Sequence, residues 1–196
     1  VEQAEQLREG VRGAYSAAAE RPGDRHPFPV GREFAWSLGY PADLLASLPA
    51  AAVEAFAGVS NVSMFAELAT GARVLDLGCG AGLDSLIAAR RVGPSGRVTG
   101  VDFGEAMLAR ARRAAAELGQ SNVDFRSGEA EELPFPDRAF DAAIVNGIFN
   151  LNPARHSIFR ELARVLQRGA SVFAAELVLC EPPTPNDRAS ISDWFA

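Results

Sequence analysis

The hydrophobic pattern changes character near residue 72. Before it, apolar positions recur at helical spacing. Leu7, Val11 and Tyr15 (or Ala14) share one side of a predicted helix over residues 1–20, and the Pro- and Gly-rich stretch Arg21 to Gly31 predicts a loop. Short helices are predicted at 41–48, 50–57 and 61–69, the first opened by Pro41 at a first-turn position. Residues 1–70 are too apolar for a loose tail (Phe34, Trp36, Leu44, Leu45, Phe56, Phe65), so they are expected to form a helical lid on residues 71–196.

After residue 72, short apolar runs alternate with helical stripes. Strands are predicted at 73–77, 97–102, 122–126, 140–146 and 171–178. Between them fall helices at 83–91, at 105–118 with Met107, Ala111, Ala114 and Leu118 in register, and at 154–167 with Ile158, Leu162, Val165 and Leu166, stopped by Gly169. This alternation predicts an α/β fold, Rossmann-like, with a doubly wound, mainly parallel sheet. Right-handed crossovers then place a ligand at the carboxyl ends of the strands, near the switch in strand order.

The first βα turn, Val74-Leu75-Asp76-Leu77-Gly78-Cys79-Gly80-Ala81-Gly82, carries the most chemical information. Its glycines allow a sharp turn and close approach of a ligand to backbone, and the next helix aims its first N–H groups at the same spot. The spacing is Gly-x-Gly-x-Gly, with Leu83 where a dinucleotide fingerprint has its third glycine. Asp76, two residues before the first glycine, repels a diphosphate and attracts an ammonium group. Asp102, twenty residues beyond Gly82, ends the second strand where a carboxylate accepts both hydroxyls of an adenosine ribose.

Other strand ends add candidates. Phe103 follows Asp102 and can cover a purine; Met107 reads as adenine packing or plain core. In Gly128-Glu129-Ala130-Glu131-Glu132-Leu133-Pro134-Phe135, Glu129 can accept from an exocyclic amine and the Ala130 N–H can donate to a ring nitrogen. Glu131 and Glu132 read as an acidic surface turn. Asn146 ends the fourth strand, where its carbonyls can hold an ammonium or line a substrate mouth. Cys79 reads as packing beneath the ligand in preference to a reactive thiol. Tyr15, His26 and Asn150 are candidates for the acceptor pocket, and His156 and Glu176 are conceivable bases.

Bulk properties narrow the class. The 196 residues suffice for one α/β domain, and 48% hydrophobic residues describe an ordinary globule. A net charge of −6 argues against a nucleic-acid surface, and no apolar run or basic leader suggests a membrane partner. Cys79 and Cys180 lie far apart, and His26 and His156 are the only histidines, so no metal site is expected. A reducing, cytoplasmic compartment is the simplest reading.

Val74–Gly82, Val101-Asp102-Phe103, Gly128–Phe135 and Phe140–Asn146, in order and at proper spacing, resemble a class I S-adenosylmethionine-dependent methyltransferase over residues 72–180. Phe56–Asn61, the Gly-x-Ala-Glu-x-Leu-Pro turn and Asn146–Leu151 are similar to the arsenite methyltransferase-like subgroup. The resemblance implies S-adenosylmethionine as cofactor. Asp76, Gly78 and Gly80 would hold its methionine end and Asp102 its ribose; Phe103 and Met107 would flank the adenine, with Glu129 and Ala130 reading its edge. It also implies in-line methyl transfer to a small-molecule acceptor. The alternatives are a non-catalytic binding protein and an NAD-dependent oxidoreductase, which the placement of Asp76 disfavours.

Two departures stand out. Arsenite methyltransferases hold arsenic through cysteine thiolates at places occupied here by about Val59 and Gly147. Arsenic itself is therefore an unexpected substrate. The class also has seven strands and only five are predicted here, so strands six and seven are expected to be missing and the chain reads as a C-terminally truncated protein. An exposed fifth-strand edge would favour a homodimer.

Overall fold

A computed structural model describes residues 2–178 and holds five strands in one parallel sheet, ordered β3-β2-β1-β4-β5. These are β1 (Arg73–Leu77), β2 (Arg97–Asp102), β3 (Val123–Ser127), β4 (Phe140–Asn146) and β5 (Leu166–Ala175). The helices are α1 (Glu2–Glu20), α2 (Arg32–Ser37), α3 (Ala42–Ala46), α4 (Ala50–Val53), α5 (Val62–Phe65), α6 (Leu83–Val92), α7 (Glu105–Glu117) and α8 (Arg155–Val165). Cys180 and the residues after it lie outside the described residues.

β1 explains the sheet's position. Four of its five residues are buried, because helices cover both faces of a parallel sheet and leave no solvated side. One apolar core joins α2–α5 to α6, α7 and one sheet face; a second joins α8 to the other. Strand order reverses at β1, with β2 on one flank and β4 on the other, so the carboxyl ends of these strands open a crevice. The first seventy residues build one wall of that crevice, through α1 and α4 packed on α7 and α5 on α6.

Three sequence expectations change. α8 stops at Val165 rather than 167, and β5 begins at once with Leu166, whose backbone is extended and pairs with Phe140. The helical period ran through Leu166 because this residue is buried in the same core as Leu162, although it already belongs to the strand. Gly169, at φ 81°, sits in the register shift between Phe140 and Ala142 rather than at the helix stop. The short helices contract to α3–α5, where Pro41 and Pro49 stand as N-caps, one position before the first turn. α2 has no counterpart in the predicted elements.

Candidate active site

The glycine turn is fixed by sterics from two sides. Gly78 has φ 77°, and a Cβ there would stand 2.3 Å from Ile148 Cγ2. A Cβ on Gly80 meets nothing within 4 Å, because that side opens into the crevice. The Gly78 and Cys79 N–H groups donate to the Val101 carbonyl at 2.8 and 3.0 Å, which clips the turn to β2. Cys79 is buried in the space that Gly100 leaves free, and burial pushes its thiol well above the ordinary range. It packs and carries no nucleophile.

Two carboxylates face the crevice at its strand ends. Asp102 accepts the Gly80 N–H at 2.9 Å on Oδ2 and the Gly104 N–H at 2.7 Å on Oδ1. Those bonds fix its plane and leave a lone pair on each oxygen for a vicinal diol. Burial raises the Asp102 carboxyl, and the two N–H groups oppose that shift. Asp76 is 2% exposed and accepts the Ser85 hydroxyl at 2.5 Å. Burial first, and then the nearby charge of Asp84, push Asp76 up to about 8, and none of the groups that shift it is a cation. A ligand ammonium beside Asp76 would supply a countercharge that none of these groups provides.

Asp84 stands behind Asp76 at the start of α6 and gathers distant segments. It accepts the Tyr40 hydroxyl at 2.6 Å, the Ser63 N–H and hydroxyl, and the Asn146 amide at 2.8 Å. Asn146 also donates to the Ser60 carbonyl at 2.7 Å, and its oxygen accepts the Val59 and Ser60 N–H groups at 2.8 and 3.1 Å. These four bonds use its amide completely. The expectation that Asn146 holds an ammonium is corrected: it lines the crevice and braces the 59–60 segment against β4.

At the other end Phe103, Met107, Glu129 and Ala130 line the crevice together, and Met107 is also buried in a small core with Ala18, Ala19, Ala55 and Ala81. The β3–β4 loop that carries Glu129 is held by α8. Glu161 accepts the Leu133 N–H at 2.7 Å, and Arg164 donates to the Leu133 and Phe135 carbonyls at 2.9 and 2.6 Å. Glu129 is ion-paired with Arg12 of α1. Glu131 lines the crevice too and pairs with Arg8, which corrects its reading as a surface turn. That partnership spans 123 residues of sequence and leaves no local signal.

The acceptor-side candidates divide. Tyr15 lines the crevice, stacked on Phe28 at 4.5 Å between centroids. Burial, then the charges of Asp102 and Glu176, raise its phenol, so it keeps its proton and can donate it in a hydrogen bond. His26 instead bonds the Arg21 carbonyl at 2.9 Å, outside the crevice lining, and Asn150 donates to the Leu177 carbonyl. Glu176 accepts the Phe149 and Asn150 N–H groups at 2.6 and 3.2 Å, and His156 is exposed on α8, so neither stands as a base. Asp84 and Ser85 were visible as an acid and a hydroxyl in the first helical turn; Tyr40, Ser63, Arg8 and Arg12 had no sequence signal.

A parallel 3-2-1-4-5 sheet with an acidic glycine turn and a diol-ready carboxylate defines a nucleoside-binding α/β site of the class I methyltransferase kind. Residues 68–195 match the family described as Methyltransferase domain, and the chain belongs to that family. It is 41% identical over 145 residues to an arsenite methyltransferase of Halobacterium salinarum, covering 74% of this chain and 37% of that protein. It is also 41% identical over 126 residues to a demethylmenaquinone methyltransferase of Listeria monocytogenes, covering 64% and 52% respectively. The chain thus spans between about a third and a half of the length of these curated relatives. The crystal structure of an arsenic(III) S-adenosylmethionine methyltransferase from Chlamydomonas reinhardtii superposes with a TM-score of 0.61 at 37% identity, over 66% of this chain and 46% of that one. An S-adenosylmethionine-dependent methyltransferase from Aquifex aeolicus gives 0.54 at 28%, over 61% and 65%.

S-adenosylmethionine is the cofactor of such methyltransferases, and the residues present in the crevice fit it. A buried carboxylate without a cation suits its ammonium, Asp102 suits a ribose, and the open side of Gly80 leaves room for a ligand against the backbone.

Asp76→Asn tests the cost of that arrangement. The folded pKa of about 8 lies far above an unfolded aspartate's, so wild-type stability is full below about pH 4 and falls as pH rises toward 8. The variant escapes that loss. Its Tm advantage over wild type should grow from pH 5 to pH 8, while S-adenosylhomocysteine binding weakens at least tenfold. Equal Tm differences at both pH values would show that Asp76 is not strained by burial.

Proposed function

We propose that the protein transfers the methyl group of S-adenosylmethionine to a small, neutral and largely apolar acceptor, and that arsenite is excluded. The observation that carries this is the contact between positions 59 and 147. A Cβ on Gly147 would stand 2.9 Å from Val59 Cγ1, so the two places expected to hold thiolates adjoin and carry only hydrocarbon and backbone. Soft arsenic needs sulfur ligands. The surrounding wall, Val11, Ala52, Ala55, Phe56, Ile148 and Leu151, is apolar as well. The Listeria relative named for demethylmenaquinone supports an acceptor of this character.

When bound, S-adenosylmethionine supplies a sulfonium methyl that a nucleophile displaces in line. The protein's own part is alignment and exclusion of water. Asp76 and Asp102 fix the two ends of the cofactor, while the α1 face bearing Val11 and Tyr15 closes the crevice. Tyr15 keeps its proton and orients an acceptor oxygen by donating to it. No base stands in the acceptor wall among the described residues, so the acceptor is one whose nucleophilic atom attacks before a proton is lost, such as an electron-rich hydroquinone ring carbon, which forms its bond to the methyl as the sulfonium C–S bond breaks and then releases its ring proton to water.

Incubation with S-adenosylmethionine and a panel of hydroquinones, phenols and arsenite with thiol tests this, read by mass spectrometry. We expect a methylated hydroquinone with equimolar S-adenosylhomocysteine and no methylated arsenic. Methylated arsenic would overturn the exclusion; tight cofactor binding with no transfer to any acceptor would favour a non-catalytic binding protein.

The reading includes a cytoplasmic setting, supported by the free, buried Cys79 thiol. No helix among the described residues is long and apolar enough to cross a membrane. It also includes a homodimer. Among the described residues β5 pairs only with β4, and Val172 on it is 41% exposed, which suits a second copy at this edge. Sedimentation at high concentration should show dimers; a strictly monomeric profile would count against them.

A further inference from the structure

The N-terminal helix carries a charged and apolar stripe toward the crevice. Arg8, Val11, Arg12 and Tyr15 recur at i, i+3, i+4 and i+7 and all line it. Arg8 pairs with Glu131 and Arg12 with Glu129, so two rungs tie α1 to the β3–β4 loop across the adenine end. Arg12 makes a further contact. Its guanidinium carbon lies 5.4 Å from the centroid of the Phe103 ring, in cation–π range.

Phe103 and Glu129 are the two groups expected to stack on the adenine and to accept from its amine, and Arg12 holds both. A base sandwiched between ring and guanidinium needs two contact distances of about 3.5 Å, or roughly 7 Å in all. The 5.4 Å gap admits none. Arg12 and the purine thus compete for one ring face and one carboxylate.

The closed arrangement is also poised to open. The side chains of the outer pair, Arg12 and Glu129, are 52% and 49% exposed, where an ion pair contributes little and salt screens it. In the inner pair Glu131 is 15% exposed; Arg8 takes Oε1, and Oε2 is buried without a hydrogen-bond partner. An oxygen stripped of water and left unpaired is a cost that opening relieves.

We propose that Arg12 is a further residue of the cofactor site, the gate of its adenine end, and that the Arg8–Glu131 pair is a second rung of the same latch. The proposal rests on the S-adenosylmethionine reading of the crevice. Loading breaks the Arg12–Glu129 pair, draws the guanidinium off Phe103, and hands both groups to the purine. Because the latch closes the empty site, cofactor loading is set by how often α1 opens.

The test combines stopped-flow binding of S-adenosylhomocysteine with hydrogen–deuterium exchange of α1 in the ligand-free full chain, for wild type, Arg12→Gln and Arg8→Gln/Arg12→Gln. In Arg12→Gln we expect the association rate constant to rise by about five- to tenfold, with dissociation little changed and Kd tighter to match. Wild-type association should accelerate between 50 and 500 mM NaCl, and that of the double variant should not. Exchange across residues 8–15 should rise in the double variant. An unchanged association rate constant in Arg12→Gln, or a weaker Kd arising from faster dissociation, would overturn the gate and leave Arg12 a wall contact or a direct ligand. Unchanged α1 exchange would overturn the latch whatever binds. Absence of S-adenosylhomocysteine binding in wild type would instead overturn the cofactor reading, which the exchange measurement does not depend on.

Discussion

Asp76 is the constraint around which the site is built. It lies at the carboxyl end of the central strand, out of water, with a hydroxyl from Ser85 and the charge of Asp84 close by. Burial of a carboxylate without a cation works against the fold. The arrangement suits a binding device: the ionised form of the site is costly near neutral pH until a cation arrives. The same reasoning separates the site from a dinucleotide fold, in which a negative charge at this place would oppose the pyrophosphate.

The polar network behind Asp76 turns that local device into a closed crevice. Asp84 and Asn146 take hydrogen bonds from or give them to Tyr40, Val59, Ser60 and Ser63, all from the first seventy residues. The N-terminal helices therefore do more than cover the sheet. They deliver the apolar wall beside the glycine turn, on which the proposed exclusion of arsenite rests. Val59 against Gly147 converts a place for two thiolates into hydrocarbon.

Local patterns carried the parts of this account that depend on neighbours in sequence. β1, β2 and β4 fall where alternation with turns placed them, and Asp102 is legible because a strand, its end and the preceding glycine turn fix one carboxylate. What stayed hidden depends on contacts across the chain. Asn146 looked like a ligand group because its partners, 86 and 87 residues earlier, are not visible from β4. Glu131 looked like a solvated turn for the same reason. The end of α8 was misplaced because Leu166 continues the apolar stripe of the helix while its backbone has already joined the sheet.

The central claim is that Asp76 awaits an ammonium, and calorimetry of S-adenosylhomocysteine binding from pH 6 to pH 9 tests it most directly. Below about pH 8 the free site holds a proton that the ligand cation must displace. Affinity should therefore rise about tenfold per pH unit up to that point and then level off, and buffers of different ionisation heat should report release of close to one proton near pH 6.5. An affinity that is flat from pH 6 to pH 8, with no proton released, would contradict the account.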